Sequence, residues 1–199
     1  MAKVGTEKLR KQQLIDATIK SIENHGFQGT TIMTISRQAE MSAGIISHYF
    51  GSKQGLILAT IRHLLEQLKQ GLLQQIAECK QPLTHEQRLQ MIVDSNFDCF
   101  QQSTSVTRTW LCFWAQALHD PELARLQAVN SKRLQSNLLY SYKHIISDPA
   151  QATIAAKMTA AMIDGLWLRS SLSQTSADEF EQAEQLCKAF IVSQCQIGQ

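Results

Sequence analysis

The chain has 199 residues, with only 9 Gly and 3 Pro, 44% hydrophobic residues and a formal net charge of +2. This hydrophobic content supports a packed core and argues against intrinsic disorder, and no apolar run reaches the roughly 18 residues of a membrane-spanning helix. The five cysteines are scattered, without metal-ligand spacing. We therefore expect reduced thiols in a cytoplasmic protein, with no secretory signal, metal or cofactor.

Charge and glycine are unevenly distributed along the chain. Residues 1–53 carry seven Lys or Arg against four acidic residues, a net charge of +3, whereas the remainder carries twelve against thirteen, a net charge of −1. Six of the nine glycines fall in the first 55 residues, and all three prolines come later. The sequence predicts a small, tightly turned basic head followed by a near-neutral body of long helices.

Four helices are predicted in the first part of the chain, over residues 7–25, 32–39, 44–50 and 53–79. Thr6 is the expected N-cap of the first, and Gly26 is placed to end it. Thr30-Thr31 is placed to cap the second helix and Ser52 the fourth. Apolar residues recur within these segments at helical spacing.

The body is predicted to form five further helices, near 85–101, 105–119, 121–146, 149–173 and 177–195. Their starts are marked by two capping boxes and two cap-then-proline pairs: Thr84-x-x-Gln87, Ser176-x-x-Glu179, Asp120-Pro121 and Asp148-Pro149. No segment shows the sustained alternation of a strand. The fold class is therefore predicted to be all-α, with a three-helix N-terminal domain and a larger helical bundle.

Two short helices joined by a tight turn against a third form a helix-turn-helix, whose last helix can enter a DNA major groove. Ile35, Ala39, Ile45 and Ile46 are placed to fix the angle between the helices. On the last helix Ser47 and His48 are the candidate base-reading residues. The remaining candidates, which would contact phosphate or allow close approach to DNA, are Thr31, Arg37, Ser42, Ala43, Gly44, Tyr49 and Lys53. An ordinary helical hairpin with solvated polar residues would show the same spacing.

The head also resembles the DNA-binding domain of the TetR family. The matching segments are Gly26-Phe27, Thr30-Thr31, Ile35-Ser36-Arg37-Gln38-Ala39 and Ser42-x-Gly44-x-Ile46-x-x-Tyr49-Phe50-x-Ser52-Lys53-x-x-Leu56. This resemblance implies an all-helical homodimer whose two heads read a palindromic double-stranded operator. It also implies a DNA-binding domain over residues 8–68 and a ligand-binding and dimerisation domain over residues 69–199.

The last two predicted helices, 149–173 and 177–195, carry apolar stripes. Their members are Ile154, Ala155, Met158, Ala161, Met162, Gly165 and Leu168 on the first, and Phe180, Ala183, Leu186, Cys187 and Phe190 on the second. Such a pair can pack within its own subunit or against a two-fold copy as a four-helix bundle. The family resemblance implies the second arrangement, so we expect the dimer interface here.

An acidic residue and several aromatic residues point to a cation site in the body. Trp110 and Trp114 lie one helical turn apart, and Asp164 lies within an apolar stretch. An anion among aromatic faces is how proteins hold quaternary ammonium groups. The aromatic residues could equally be core, and Asp164 could cap a helix or pair with Arg169.

Segments throughout the chain resemble the choline-responsive repressors of glycine betaine synthesis within the same family. They are Gly44-Ile45-Ile46-Ser47-His48-Tyr49-Phe50, Trp110-Leu111-x-Phe113-Trp114-Ala115, Arg133-Leu134-x-Ser136-Asn137-Leu138 and Ile163-Asp164-Gly165-Leu166-Trp167-Leu168-Arg169. This resemblance implies a repressor of choline uptake and betaine synthesis genes that choline releases from DNA. The predicted choline cage consists of Phe97, Trp110, Trp114, Asn137, Asp164 and Trp167.

The sequence leaves two other functions to compare with this one. A TetR-like repressor that senses a different organic cation, such as a multidrug-efflux regulator, would use the same acid and aromatic residues. A helical enzyme is disfavoured because the six histidines are scattered and no catalytic motif has the required spacing. The chain is therefore predicted not to be an enzyme.

Overall fold

The computed structural model describes residues 2–173 and 176–197, and every regular element within them is a helix. The helices are α1 (Ala2–Gly29), α2 (Ile32–Gln38), α3 (Gly44–Phe50), α4 (Lys53–Glu78), α5 (His85–Asn96), α6 (Cys99–Gln102), α7 (Thr104–Ala117), α8 (Pro121–Tyr142), α9 (Pro149–Leu172) and α10 (Ser176–Ile197). The predicted all-α fold class is confirmed. Within the described residues, no helix is both long and apolar enough to cross a membrane.

The chain divides into two compact units. The first comprises residues up to 66 together with 103–126, and the second comprises 67–102 together with the residues from 127 onward. Helices α4 and α8 therefore each contribute residues to both units.

In the first unit, α1 packs against α2 and α7. The interior is aliphatic and aromatic, with Leu14, Ile35 and Leu64 completely buried and Phe113 almost so. Gly26 interrupts α1 with φ +66°, a left-handed backbone conformation that glycine adopts without steric cost. The predicted end of the first regular helix at Gly26 therefore coincides with a kink, and α2 starts a few residues later.

In the second unit, α10 packs against both α9 and α5. Phe97, Phe180 and Tyr142 are among the largest fully buried side chains. The Tyr142 hydroxyl and the Thr159 hydroxyl lie 2.8 Å apart in the interior. Burial raises the pKa of Tyr142 to about 12, so this phenol stays neutral and can remain in the core.

Most predicted helix starts are confirmed by cap geometry. Thr31 and Thr84 each form a complete capping box, and Asp148 accepts the backbone N–H of Ala150 with a proline at the first helical position. The Ser52 hydroxyl accepts the backbone N–H of Gly55 at 3.0 Å, as expected for the cap of α4. These predictions succeed because a cap depends only on residues within one helical turn.

Three predicted boundaries were wrong. The first helix begins at Ala2, so Thr6 lies within α1 and does not cap it. The predicted helix 85–101 is interrupted after Asn96, because the Asp98 carboxylate accepts the backbone N–H of Gln101 at 2.8 Å and starts the short α6. The predicted helix 121–146 ends at Tyr142. The side chain of Ser176, and hence its predicted capping box, lies outside the described residues.

Candidate functional sites

A small network of hydroxyl groups sets the angle of α2 against α1 in the first unit. The buried Ser21 hydroxyl lies 3.3 Å from that of Thr30 and 3.0 Å from that of Thr34. The Thr30 hydroxyl donates to the carbonyl of Gly26 at 2.8 Å, next to the kink in α1. These bonds tie the start of α2 to the end of α1, so α2 enters the head in a fixed orientation.

Apolar packing completes the helix-turn-helix. Ile35 on α2 and Ile46 on α3 are both fully buried, as predicted. Ala39 and Ile45, predicted to share this role, are half-buried at the margin of the same contact. The opposite face of α3 is thereby left available to a partner.

The predicted base-reading residues lie on that available face. Gly44, Ser47 and His48 are all exposed, whereas Ile46 between them is buried. Tyr49 is half-buried, with its ring centroid 4.9 Å from that of His48. A seven-residue helix with this division between faces can place its polar side chains in a major groove.

The predicted phosphate-contacting residues surround α3. Thr31, Arg37 and Ser42 are exposed, and Ala43 in the turn is half-buried. The Thr31 hydroxyl accepts the backbone N–H of Thr34 at 3.1 Å, so it is held as a helix cap at the start of α2. A phosphate there would meet both this hydroxyl and the free N–H groups of a helix N-terminus.

The cation of Lys53 is held in place by an aromatic ring. Its ammonium group lies 5.5 Å from the centroid of the Phe27 ring, a cation–π distance. This contact positions the first residue of α4 beside the head without cancelling its charge.

Lys11 contacts α3 directly, which the sequence did not indicate. Its ammonium group lies 5.7 Å from the Tyr49 ring centroid and 2.7 Å from the Glu7 carboxylate. The hydrogen bond and charge of Lys11 lower the pKa of Glu7, and the charge of His48 adds a smaller effect in the same direction. Sequence reasoning counted Lys11 only within the net charge of the head, because its contact with α3 spans many residues of sequence.

In the second unit, Asp164 is a half-buried carboxylate near the middle of α9. Burial raises its pKa to about 6. Within the described part of the chain no side chain forms a hydrogen bond or ion pair with it, so neither the cap nor the Arg169 pair considered above is formed. A buried carboxylate without a compensating partner is costly, and a bound cation would relieve that cost.

Phe97 and Trp167, two of the predicted cage residues, pack around a third ring. The Phe180 centroid lies 6.4 Å from that of Phe97 and 6.0 Å from that of Trp167, both in edge-to-face geometry. Phe97 is 2% exposed and Trp167 is 6% exposed. In this structure both rings therefore contribute to the core of the second unit.

The remaining predicted cage residues lie elsewhere. Trp110 and Trp114 are brought together on α7 of the first unit, with ring centroids 6.4 Å apart. In the second unit, Asn137 holds Arg88, whose guanidinium donates to the Asn137 carbonyl at 2.7 Å and to its side-chain oxygen at 3.4 Å. The role of Arg88 was missed, because nothing in the local sequence links α5 to α8.

Two family models match successive parts of the chain. Residues 14–60 match the model of the bacterial regulatory proteins of the TetR family, and residues 85–196 match the BetI-type transcriptional repressor C-terminal domain. The chain is 47% identical over 174 residues to the HTH-type transcriptional regulator BetI of Burkholderia lata and to that of Burkholderia cenocepacia. Each alignment covers 87% of this chain and 88% of the relative.

Solved structures show the same fold. A transcriptional regulator from Pseudomonas aeruginosa PAO1 aligns with a TM-score of 0.80 and 24% identity, over 95% of this chain and 91% of that one. A TetR transcription regulator from Haloarcula marismortui also aligns with a TM-score of 0.80, at 19% identity over 94% of this chain and 98% of that one. On the combined evidence of both family models and of the curated relatives, the chain belongs to the TetR family of DNA-binding transcriptional regulators, with a BetI-type repressor C-terminal domain.

Proposed function

We propose that this protein represses the genes for choline uptake and glycine betaine synthesis and that choline releases it from DNA. The resemblance of the body segments to choline-responsive repressors implies the ligand, and the relatives named BetI are consistent with it. The structural observation that carries the proposal is the half-buried carboxylate of Asp164, which has no partner within the described residues. Because the partner is chromosomal DNA, we assign the protein to the cytoplasm.

The chemistry of choline matches such a carboxylate. A trimethylammonium group carries a charge but cannot donate a hydrogen bond, so a negative charge in poorly solvated surroundings binds it better than a neutral acceptor does. With a pKa of about 6, Asp164 is mostly ionised at pH 7. A bound cation would lower that pKa and recover part of the desolvation cost. The aromatic members of the predicted cage, Trp110 and Trp114 included, stay a prediction.

We propose that α3 reads the operator in the major groove. Ser47 and His48 would contact base edges, while the surrounding hydroxyl and cationic groups would contact phosphates. The supporting observation is the division of α3 into a buried face and an exposed polar face. TetR-family regulators dimerise, and two such heads would read the two halves of a palindrome.

We propose that the dimer forms through the outward faces of α9 and α10. Ile154 and Met158 on α9 are 46% and 51% exposed, and Leu186 on α10 is 52% exposed. Ala161 and Gly165 continue the α9 stripe and are also exposed, which would let a partner helix approach closely. By contrast Ala155, predicted for the same stripe, packs inside its own unit at 1% exposure. Exposed apolar rows of this kind are typical of a two-fold helical interface.

Choline can weaken operator binding only if it binds the DNA-incompatible state better than the DNA-bound state. The test measures fluorescence anisotropy of an operator selected from random DNA by the wild-type protein, at fixed salt and increasing choline. We expect choline to lower operator affinity and glycine betaine, which carries its own carboxylate, to have less effect. Asp164→Asn should retain operator binding and lose the response to choline.

Two results would contradict the proposal. If choline leaves operator affinity unchanged while the protein still binds DNA, the choline assignment is wrong and the repressor assignment stands. If bulky cationic dyes release the operator and choline does not, the protein senses another organic cation, as a multidrug-efflux regulator does. Trp110→Ala and Trp114→Ala, measured separately in the same assay, report whether either indole contributes to the cation site.

A further inference from the structure

The second unit contains a cavity whose charge is opposite to that of Asp164. Its volume is about 520 Å³, and residues of α4, α5 and α8 line it. Four cationic side chains contribute to the lining: Lys69, Arg88, Lys132 and Arg133. No acidic side chain is among the described lining residues.

Arg88 is half-buried and held by hydrogen bonds at the cavity wall. Its guanidinium donates to the Asn137 carbonyl at 2.7 Å and to the Ser141 hydroxyl at 3.1 Å, and it lies 5.0 Å from the Tyr140 ring centroid. All of these partners are neutral. Desolvation lowers the pKa of Arg88, yet an arginine remains charged at neutral pH. The guanidinium is therefore oriented and partly desolvated while its charge lacks a carboxylate partner in the described part of the chain.

The rest of the cavity wall is aliphatic. Leu72, Leu73 and Ile76 of α4 form one side, and Val129 of α8 faces the same space. Leu73 and Val129 are about half exposed, at 47% and 48%, although both are large apolar side chains. Such a surface gains free energy when an apolar group covers it.

We propose that this cavity binds a small amphipathic anion, namely an aliphatic chain that ends in a carboxylate, as a ligand separate from the cation. The carboxylate would meet the Arg88 fork and the Lys132–Arg133 pair, and the chain would cover the aliphatic wall. A cavity of about 520 Å³ fits one small molecule and lies in the usual size range of ligand sites. Choline does not suit this site, because the positive charges of Arg88, Lys132 and Arg133 would repel it.

The experiment is calorimetric titration of the purified protein with decanoate, below the micelle concentration of decanoate. Decanol supplies the same chain without the charge, and inorganic phosphate supplies an anion without the chain. We expect decanoate to bind more tightly than either, and more weakly as salt is raised, because the head contacts are ionic. The proposal would be overturned if decanol or phosphate bound as tightly as decanoate. It would also be overturned if decanoate did not bind.

Paired variants locate the binding. Lys132 and Arg133 are exposed, so Lys132→Gln combined with Arg133→Gln should leave folding intact. It should weaken decanoate binding about tenfold, since each exposed ion pair contributes up to about fivefold. Lys143→Gln removes one charge at an exposed position away from the cavity lining and should change nothing. Equal decanoate affinity in the double variant and in wild type would refute the proposal. Titration of the same double variant with choline tests the choline assignment independently of this outcome.

Discussion

Replacing Asp164 by Asn should make the protein more stable at neutral pH and insensitive to choline. The pKa of Asp164 in the folded protein is about 6, above the ordinary value of 3.8, because burial disfavours the carboxylate. Below about pH 3 the group is protonated in both the folded and the unfolded chain, so it imposes no penalty. As the pH rises from about 3 to 6 the unfolded chain ionises first, and folding loses stability. The full penalty is present above about pH 6.

The size of this penalty follows from the pKa. A rise from 3.8 to about 6 corresponds to about 3 kcal/mol at most. Asp164 is half-buried, and screening by solvent reduces this to about 1–2 kcal/mol. For a chain of this length, that gain corresponds to a rise in melting temperature of about 2–8 °C.

Urea unfolding at pH 7 and at pH 4 tests the reasoning, with wild type and Asp164→Asn at the same protein concentration. The variant should be more stable at pH 7, and the difference should shrink to roughly half a kcal/mol or less at pH 4. Glu78→Gln, which neutralises an exposed carboxylate at the end of α4, should leave stability unchanged at both pH values. A variant less stable than wild type at pH 7 would show that Asp164 is held by a structural partner, and the cation site would lose its main support.

Four further predictions concern the head and the dimer. A methyl group on Gly44 would meet nothing within 4 Å, so Gly44→Ala should stabilise the head by about 0.4–1 kcal/mol. The same methyl group should obstruct close approach to DNA and weaken operator binding about tenfold or more. A methyl group on Gly55 would overlap a backbone carbonyl of α3, so Gly55→Ala should lower the thermal stability of the head itself. Lys53→Ala should weaken binding to all DNA sequences and reduce by about one the slope of log affinity against log salt concentration. Ser47→Ala should change base preference and leave that slope constant. Fluorescence anisotropy at several salt concentrations measures both effects. Met158→Glu should yield monomers in analytical ultracentrifugation, and a stable dimer would exclude this face.

The head could be predicted from the sequence because its signals are local. The turn between α2 and α3 involves residues close together in the chain, and the buried positions Ile35 and Ile46 follow from helical spacing. The cap at Thr31 depends on Thr34, three residues away. The break after Asn96 was missed even though its signal, Asp98 as a cap, is equally local. Apolar periodicity continues across that break and therefore predicts a single helix.

The sites in the body could be predicted only in part, because they depend on contacts distant in sequence. The position of Asp164 in an apolar stretch predicted a functional role for it. Only the folded chain shows that Arg169 does not pair with Asp164, which has no partner among the described residues. Phe97 and Trp167 were predicted as members of the cage. Their packing on Phe180, which brings together α5, α9 and α10, could not be read from spacing.

The near-neutral charge of the body explains why composition pointed to no ligand there. Residues 54–199 carry twelve basic and thirteen acidic residues, which nearly cancel in the sum. They do not cancel in space, since Asp164 stands without a partner among the described residues, while the cavity beside Arg88 is lined by cations and no acid. Screening confines each field to about 8–10 Å at moderate salt, so each ligand would respond to its local charge and not to the total. A cation and an anion can therefore be recognised within one unit whose net charge is close to zero.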